Sequence, residues 1–415
     1  MPSNVDKKAR DDEQTVRLCN YTDVYYNDTI TDELPFMAAT ASDDQITRFS
    51  LRAGDVIITK DSETADDIAV SALVPQDLPG VVCGYHLALL RPREGTRGEF
   101  MKYLFDAAST KAAVATRANG LTRVGLSQYA LDSLELPFPT ISEQVAIAAF
   151  LDRETAKIDA LIAEQERLIA LLDEKRQAVI TQAVTKGLDP SVPMKDSGVE
   201  WIGPIPSHWK MPRLDSRFDI VLGKMLDEKR IEGASLHRYL RNVDVQWDCI
   251  NTDALPTMDI YPEEAERYLL RRGDLLICEG GEVGRAAIWE GDDLAVGFQK
   301  ALHRARPRIH TESSRFFFYQ LRDASARGVF EANGNPNTIL HLTGQQLRAY
   351  RFPCPPSSEQ EEIAAYLDSM NREVNSVVNA VTRALELLRE RRSALISAAV
   401  TGQIDVRCSV DAEAA

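Results

Sequence analysis

The feature that most constrains this chain is a long segment that occurs in it twice. Residues 137–189 match residues 353–405 without a gap at a constant offset of 216, with 21 identities in 53 positions. The match opens on PFPTISEQ in one copy and PCPPSSEQ in the other. Chance does not produce such agreement at one offset, and the length of the unit excludes a solenoid of short repeats. The chain therefore carries one large unit twice, each copy a globular segment followed by a shared tail.

Both tails have the pattern of long helices. Residues 143–185 and 359–401 contain no Gly or Pro. Gly187 and Gly402 stand just past the two ends and are typical helix stop signals. Ser142, and Ser358 with Glu361, are placed to cap the two beginnings. About 43 residues at ~1.5 Å each predict a rod of roughly 65 Å.

Apolar residues recur along each tail in steps of three and four, as they do in a coiled coil. Such a stripe must be buried against another helix, and the other tail is the nearest partner. Neighbouring apolar residues widen the stripe and indicate further helices from another subunit; two unrelated amphipathic helices are the alternative. The predicted seam and subunit-docking residues are Ile158, Leu161, Leu168 and Leu172 in the first tail and Val374, Val377, Val381 and Leu388 in the second.

The segments that precede the tails have the pattern of mixed domains. Short β-type runs, separated by turn residues, are followed by helical stretches at residues 98–116 and 313–330. A weaker similarity relates residues 52–58 to residues 272–277. We therefore predict an α+β fold with two globular domains, joined by two long helices that pack as an antiparallel coiled coil in a pseudo-two-fold repeat.

The sequence offers no convincing catalytic constellation. Gly223-Lys224 lacks the upstream glycine of a phosphate-binding loop, and the Gly-rich stretch 280–284 falls in a predicted hairpin rather than before a helix. Asp173-Glu174-Lys175 has the local spacing of a nuclease triplet but lies on the surface of a predicted helix. The histidines show no metal-ligand spacing. We expect a protein that binds and positions, with no catalytic residue and no metal site; an enzyme is the weakest alternative.

Charge is the main argument against nucleic-acid binding. The chain has 48 basic and 63 acidic residues, a net charge of −15, whereas DNA-binding proteins usually show a positive footprint. The acidity is uneven, because residues 1–139 hold 14 Lys/Arg against 21 Asp/Glu and residues 201–352 hold 21 of each. A local basic surface is therefore still compatible with the charge of the second half. Scattered cysteines and the lack of a long apolar run predict a cytoplasmic protein without membrane contact.

The chain resembles the specificity (S) subunit of type I restriction-modification systems. The resemblance rests on the doubled Pro-x-Pro…Ser-Glu-Gln-x-x-Ile-Ala-x-x-Leu-Asp block with its long helix, on the linker Met194 to Trp209, and on Arg272 to Gly284. It implies a non-enzymatic subunit whose two target recognition domains read a bipartite double-stranded DNA target. Two modification (methyltransferase) subunits would dock on the helices, and restriction subunits would complete the assembly. No cofactor is implied on this chain; S-adenosylmethionine, ATP and Mg²⁺ would be bound by the partner subunits.

The resemblance implies a domain order that follows the repeat. The segment Trp201–Trp209 opens the second domain and has no counterpart before Leu18, so we expect the first domain to lack its opening segment. A coiled-coil scaffold whose ends bind proteins instead of DNA is the alternative that the acidity favours. The expected parts are the first recognition domain at 1–139, the first long helix at 140–188, a linker at 189–206, the second recognition domain at 207–354, the second long helix at 355–403 and a tail at 404–415.

Base-reading residues are expected on loops, where amide, basic and imidazole side chains reach base edges and phosphates. Ordinary turns, core packing and phosphate contacts are the competing roles for the same residue types. The candidates are Asn119, Thr122 and Arg123 in the first half and Lys224, Arg285, Gln299, Lys300, Asn333, Asn335, Asn337 and His341 in the second.

Overall fold

A computed structural model describes residues 1–120, 122–226, 233–291, 295–310, 312–331 and 341–406. The chain forms two compact units: unit 1 comprises Met1–Arg167 and Val381–Ala415, and unit 2 comprises Leu168–Ala380. Each unit therefore contains one globular domain, part of the first long helix and part of the second. No helix in the described ranges is long and apolar enough to cross a membrane.

Unit 1 is built from short strands and helices. Its strands are β1 (Gln14–Cys19), β2 (Met37–Ala41), β3 (Val56–Thr59), β4 (Asp61–Ser62), β5 (Ser71–Leu73), β6 (Val81–Cys83), β7 (Leu87–Leu90) and β8 (Val124–Gly125). Its shorter helices are α1 (Tyr21–Tyr25), α2 (Asp43–Phe49), α3 (Gly98–Asp106), α4 (Ala108–Ala115) and α5 (Gln128–Asp132). The first long helix, α6, is Ile141–Lys186.

The strands of unit 1 form two three-stranded sheets, with the orders β2-β1-β6 and β5-β3-β7, and a two-stranded pair of β4 with β8. β1 runs antiparallel to β2 and parallel to β6. The central strand β3 is buried along its whole length, which explains why its sequence is a continuous apolar run rather than an alternation.

Unit 2 repeats this plan with more strands. These are β9 (Met194–Asp196), β10 (Pro204–Pro206), β11 (Phe218–Leu222), β12 (Leu236–Leu240), β13 (Val245–Gln246), β14 (Cys249–Ile250), β15 (Thr257–Asp259), β16 (Leu275–Cys278), β17 (Ala286–Ile288), β18 (Val296–Phe298) and β19 (Leu302–Pro307). The helices are α7 (Leu214–Arg217), α8 (Ala265–Tyr268), α9 (Ser314–Ala326), α10 (Gly344–Ala349) and the second long helix α11 (Ser357–Val400).

The sheets of unit 2 have the orders β11-β19-β16-β17 and β15-β12-β18, with β9 paired to β10 and β13 to β14. β12 runs antiparallel to β15 and parallel to β18, which is the mixed pattern that β1 makes in unit 1. The hairpin β9–β10 is formed by the predicted linker, and Ile202 and Ile205 from it join the core of the unit. The predicted α+β class is confirmed.

One buried ion pair is used in both units. In unit 1, the Arg91 guanidinium donates to the two carboxylate oxygens of Asp55 at 2.9 and 2.7 Å. In unit 2, Arg306 donates to Asp274 at 2.7 Å for both bonds. Both carboxylates are 1% exposed, and a buried charge is tolerated only when it is paired. The weak sequence similarity around these aspartates therefore reflects one structural element used twice.

The ends of the two long helices agree with the prediction, but their caps differ from it. Gly187 and Gly402 follow the helices with φ of 76° and 72°, the left-handed conformation that glycine adopts without strain. The predicted cap residues Ser142 and Ser358 are wrong, because both lie inside the helices. Thr140 caps the first helix instead, and its N–H donates to Glu143 Oε2 at 3.0 Å.

The buried stripe of each long helix follows a strict alternation of steps of four and three. Ile158, Leu172, Val374, Val381 and Leu388 lie on it, buried or half-buried, as predicted. The full stripe comprises residues 151, 155, 158, 162, 165, 169, 172, 176, 179 and 183 in α6 and the residues 216 positions later in α11.

Three predicted seam residues are exposed and lie outside this stripe. Leu161 is 51% exposed, Leu168 38% and Val377 44%. The apolar residue directly after each of them, Ile162, Ile169 and Val378, is half-buried instead. The assignment of these three to the seam was wrong because two apolar residues stand next to each other at each step, and the sequence does not show which of the two faces inward.

Candidate nucleic-acid interface and helix joints

The Glu-Gln of the repeated motif joins each long helix to the globular domain of its unit. In unit 2, Gln360 Oε1 accepts from the Ser313 N–H at 3.0 Å, and Gln360 Nε2 donates to the Pro355 carbonyl at 3.0 Å. In unit 1, Gln144 Oε1 accepts from the Arg97 N–H at 2.8 Å and Nε2 donates to the Pro139 carbonyl at 2.9 Å. Each glutamine thus satisfies a free N–H at the start of a domain helix, α3 or α9.

The Leu-Asp of the motif makes a second joint of the same kind. The Tyr103 hydroxyl donates to Asp152 Oδ1 at 2.7 Å in unit 1, and the Tyr319 hydroxyl donates to Asp368 Oδ1 at 2.5 Å in unit 2. Burial, followed in Tyr319 by the bond to Asp368, raises the pKa of both tyrosines. Both hydroxyls therefore stay protonated as donors. These two joints explain why the motif is repeated, because in each unit they connect the globular domain to the beginning of a long helix.

The two long helices run antiparallel inside each unit. In unit 1, Arg392 Nε donates to Asp159 Oδ1 at 2.8 Å, so the beginning of α6 lies beside the end of α11. In unit 2, Arg176 Nη2 donates to Asn375 Oδ1 at 2.8 Å, which places the end of α6 beside the beginning of α11. Half-exposed pairs of this kind contribute less than about 1 kcal/mol each, so they set the register while the apolar stripe supplies most of the stability.

Three of the candidate DNA-contacting residues of unit 2 lie side by side at the end of β18. The Lys224 N–H donates to the Phe298 carbonyl at 2.9 Å, and the Lys300 N–H donates to the Lys224 carbonyl at 3.0 Å. Lys224 and Gln299 also form a β-bridge. The Lys300 side chain is exposed, whereas the Lys224 ammonium pairs with the Glu264 carboxylate. Lys300 is therefore the more accessible cation of the two.

Asn242, which the sequence analysis did not select, connects this group to Arg285. Arg285 Nη2 donates to Asn242 Oδ1 at 2.9 Å, and Asn242 Nδ2 donates to the Gly280 carbonyl at 3.0 Å. The Arg285 side chain is 14% exposed and also lies 3.6 Å from the Glu282 carboxylate. Its guanidinium is thus engaged inside the unit, where it holds the loop of Asn242 against the Gly-rich hairpin.

His341 reaches the same surface through the backbone of its neighbour. The Leu342 N–H donates to the Glu279 carbonyl at 2.7 Å, and the Glu279 N–H donates to the Ala301 carbonyl at 3.0 Å. Since Ala301 follows Lys300, these bonds bring the backbone at Leu342 close to Lys300, and the preceding residue, His341, is exposed. We name this surface the unit 2 loop face; its residues are Lys224, Asn242, Gln299, Lys300 and His341. The predicted residues Asn333, Asn335 and Asn337 lie outside the described residues.

The candidates of unit 1 lie around a tight backbone pair. Asn119 and Gly125 exchange N–H···O bonds of 3.1 and 2.9 Å. The side chains of Asn119, Thr122 and Arg123 are exposed. Arg123 lines a cavity of about 420 Å³, and the neighbouring walls are aromatic and acidic. The other lining residues are Tyr21, Thr22, Tyr25, Tyr26, Asp61, Ser62, Glu63, Asp67 and His86.

The tyrosines of this cavity are a feature that the sequence analysis missed. Tyr21 and Tyr25 stack at 5.4 Å between ring centroids, and Tyr26 is 76% exposed. Their signal in the sequence is three tyrosines within six residues directly after a buried strand. The acidic residues beside them explain where part of the negative charge of residues 1–139 is concentrated.

These observations define a class of protein: two α+β domains that present different loop surfaces, each joined to long antiparallel helices by the same glutamine and tyrosine. The family described as the type I restriction modification DNA specificity domain matches residues 5–169 and 206–386. The chain belongs to this family, and the resemblance seen in the sequence is confirmed.

Relatives and solved structures agree with the family assignment. The chain is 24% identical over 349 residues to the type I restriction enzyme StySPI specificity subunit of Salmonella potsdam, covering 79% of this chain and 71% of that protein. It is 23% identical over 358 residues to the EcoKI specificity subunit of Escherichia coli K12, covering 80% and 73%.

Among solved structures, a chain of a type I restriction-modification system matches with a TM-score of 0.73 and 18% identity, covering 96% of this chain and 95% of that one. The HsdS subunit of Thermoanaerobacter tengcongensis matches with a TM-score of 0.55 and 19% identity, covering 97% and 95%. At these identities the structures support the fold.

Proposed function

We propose that this chain supplies DNA sequence specificity to a type I restriction-modification complex, and that each unit reads one part of a split target. The observation that carries the proposal is that the family match falls on both units, and that the same two helix joints recur in each. The domains that these joints hold present different loop surfaces. Two different DNA-recognition domains in one chain would bind a bipartite, asymmetric DNA sequence rather than a palindromic one.

We propose the unit 2 loop face as the reader of one half-site. Lys300 supplies an exposed cation for a phosphate, and Gln299 and His341 supply groups that can bond base edges. The Lys224 ammonium would leave the Glu264 carboxylate to contact a DNA phosphate. Asn333, Asn335 and Asn337, which lie outside the described residues, remain candidates for base contacts. Arg285 acts as a positioning residue, since its guanidinium holds Asn242.

For unit 1, we propose that Asn119, Thr122 and Arg123 belong to the reader of the other half-site. The acidic and aromatic cavity beside Arg123 repels phosphates, so this unit would depend more on base contacts and less on charge than unit 2. Because of that difference, the affinity of unit 2 for its half-site would fall more steeply with salt concentration than the affinity of unit 1.

The partners are proposed from the family and from the exposed apolar residues of the helices. Leu161, Leu168 and Val377 would contact two modification subunits, which bind S-adenosylmethionine. Restriction subunits, with ATP and Mg²⁺, would complete the assembly. The chain itself would catalyse nothing and would act in the cytoplasm.

Mapping methylated bases in a host genome tests the proposal. Cells that express the chain with its modification subunit should show methylation at one split motif, which disappears when the chain is deleted. The triple variant Gln299→Ala, Lys300→Ala and His341→Ala should change one half of the motif, and Asn119→Ala with Arg123→Ala should change the other.

Matched substitutions on an exposed helix surface, such as Lys157→Ala, should leave the motif intact. If neither group of loop variants alters the motif while the complex still assembles, the loop surfaces do not read DNA. Equal retention of scrambled and target duplexes by the purified complex would favour the adaptor alternative.

A further inference from the structure

Unit 1 repeats the backbone hydrogen bonds that build the unit 2 loop face. The Gln299 N–H donates to the carbonyl that ends β12, and the Gly84 N–H donates to the carbonyl that ends β1, both at 2.9 Å. Since β1 and β12 make the same mixed pairing in their sheets, Gly84 corresponds to Gln299. The next residue, Tyr85, is 50% exposed and stands where unit 2 has Lys300.

A second pair of equivalent bonds aligns the segments that precede the short helices α5 and α10. The Leu126 N–H donates to the Lys60 carbonyl at 2.8 Å, and the Leu342 N–H donates to the Glu279 carbonyl at 2.7 Å. Each leucine is followed by the serine or threonine that caps the helix. Lys60 therefore corresponds to Glu279, and the two segments can be compared residue by residue.

The residues beside these bonds make opposite choices in the two units. Asp61 corresponds to Gly280, and Gly125 corresponds to the exposed His341. Asp61 and Gly125 are partners in the pairing of β4 with β8, and a methyl group on Gly125 would lie 2.9 Å from Asp61 Oδ1. Glycine at position 125 thus leaves room for the carboxylate. Unit 1 carries one polar side chain of this pair, a carboxylate, and unit 2 carries the other, an imidazole.

The Asp61 carboxylate is held in place through one of its two oxygens. Lys60 Nζ and His86 Nδ1 both lie 2.8 Å from Asp61 Oδ2, and Lys60 Nζ lies 4.6 Å from the centre of the Tyr85 ring. Among the described residues, both groups that bond this carboxylate use Oδ2, which leaves Oδ1 as an acceptor. The Asp61 side chain is 21% exposed and lines the cavity of about 420 Å³ beside Arg123.

We infer that Asp61 reads a cytosine in the half-site of unit 1, by accepting a hydrogen bond from the N4 amino group in the major groove. The inference rests on the proposed function. A carboxylate accepts hydrogen bonds and donates none, so it favours a base edge that presents a donor alone. Cytosine presents such an edge, whereas the N6 amino group of adenine stands beside the acceptor N7, and guanine and thymine present acceptors.

Lys60 and His86 are positioning residues in this arrangement. They fix the orientation of the carboxylate before DNA arrives, which lowers the entropic cost of the contact. The Lys60 ammonium also offsets the charge of Asp61, which would otherwise repel the phosphates that flank the base. Together these contacts make a carboxylate compatible with a surface that binds a polyanion.

The base preference of the complex tests the inference. The full chain is purified with its modification subunit, and methylation rates are measured on duplexes in which each base pair of the mapped motif is varied in turn. Asp61→Asn keeps the shape of the side chain but adds a donor, so that it can pair with N6 and N7 of adenine. It should lower the preference for cytosine over adenine at one position of the unit 1 half-site by at least about fivefold, and leave the other half-site unchanged.

Two further variants complete the test. Asp44→Asn removes a carboxylate from α2, where the Asp44 side chain is 76% exposed, and should leave every preference unchanged. The double variant Asp61→Gly with Gly125→His carries the residue pair of unit 2 into unit 1 and should also lose the preference for cytosine.

The outcomes separate this inference from the proposed function. The inference is overturned if the unit 1 half-site contains no G·C pair, or if either Asp61 variant is active and keeps the preference for cytosine. Inactivity of both variants on every duplex would assign Asp61 a structural role and would overturn it as well. If the unaltered complex methylates no split motif, the proposed function itself fails.

Discussion

Gln360 is the residue whose replacement tests the helix joints most directly. It is 1% exposed, and its side chain amide makes a hydrogen bond at each end, to the Ser313 N–H and to the Pro355 carbonyl. Gln360→Leu keeps the volume of the side chain but removes both bonds. The N–H at the start of α9 and the carbonyl before α11 would then be buried without a partner.

The expected loss of stability follows from these two groups. A buried polar group left without its hydrogen bond costs about 1–3 kcal/mol, and the greater hydrophobicity of leucine offsets part of that cost. We expect the free energy of unfolding of unit 2 to fall by about 2–4 kcal/mol. For a unit of this size, that corresponds to a decrease in Tm of roughly 4–16 °C.

Thermal unfolding followed by circular dichroism, with urea midpoints as a second measure, provides the assay. Gln144→Leu should cost unit 1 at least as much, because Gln144 also donates to the Gly95 carbonyl at 3.0 Å. Gln182→Leu, at an exposed position of α6, should change stability by less than about 0.5 kcal/mol. If Gln360→Leu and Gln144→Leu both cost less than about 1 kcal/mol, the joints do not explain the repeated motif.

Three further predictions concern the seam, acid stability and DNA binding. Leu385→Ala, at a residue 5% exposed, should cost about 2–5 kcal/mol of unfolding free energy, whereas Leu387→Ala, at 58% exposed, should cost under about 0.5; equal losses would refute the observed phase of the stripe. Burial lowers the pKa of His303 from its ordinary 6.5, so this residue's stabilisation is complete above pH 6.5 and is lost as the pH falls through the folded pKa. His303→Gln should reduce the fall of the urea midpoint as the pH drops below 6.5, and an unchanged acid dependence would exclude His303 as its source. Lys300→Ala should lower by about 0.9 the slope of log affinity against log salt for the complex on its target duplex, and an unchanged slope would show that Lys300 contacts no phosphate.

The long helices were predictable almost to the residue. Their ends depend on local chemistry, since an uninterrupted run without Gly or Pro propagates a helix and a glycine in the left-handed conformation ends it. The strands around Asp55 and Asp274 were found for a similar reason, because each follows a Gly-Asp turn and is a short apolar run. These elements are specified by neighbours in the sequence.

The phase of the seam was not predictable to the same degree. Leu161 with Ile162, and Leu168 with Ile169, are adjacent pairs that fit a step of either three or four. The choice is made by which residue meets the partner helix, and that contact joins α6 to a segment about two hundred residues later. The cap of the first helix was missed for a local reason, because Thr140 rather than Ser142 forms the reciprocal bonds with Glu143.

The sequence alone determined that one domain-and-helix unit occurs twice, that the helices run for more than forty residues, and that the chain resembles a family of DNA specificity subunits. Tertiary structure decided which side chains meet: Asn242 with Arg285, Gln360 with Ser313, and Trp209 with Glu359. The physical reason is that periodicity and turn chemistry act between residues a few positions apart, whereas burial and hydrogen bonding pair groups that are far apart in the chain.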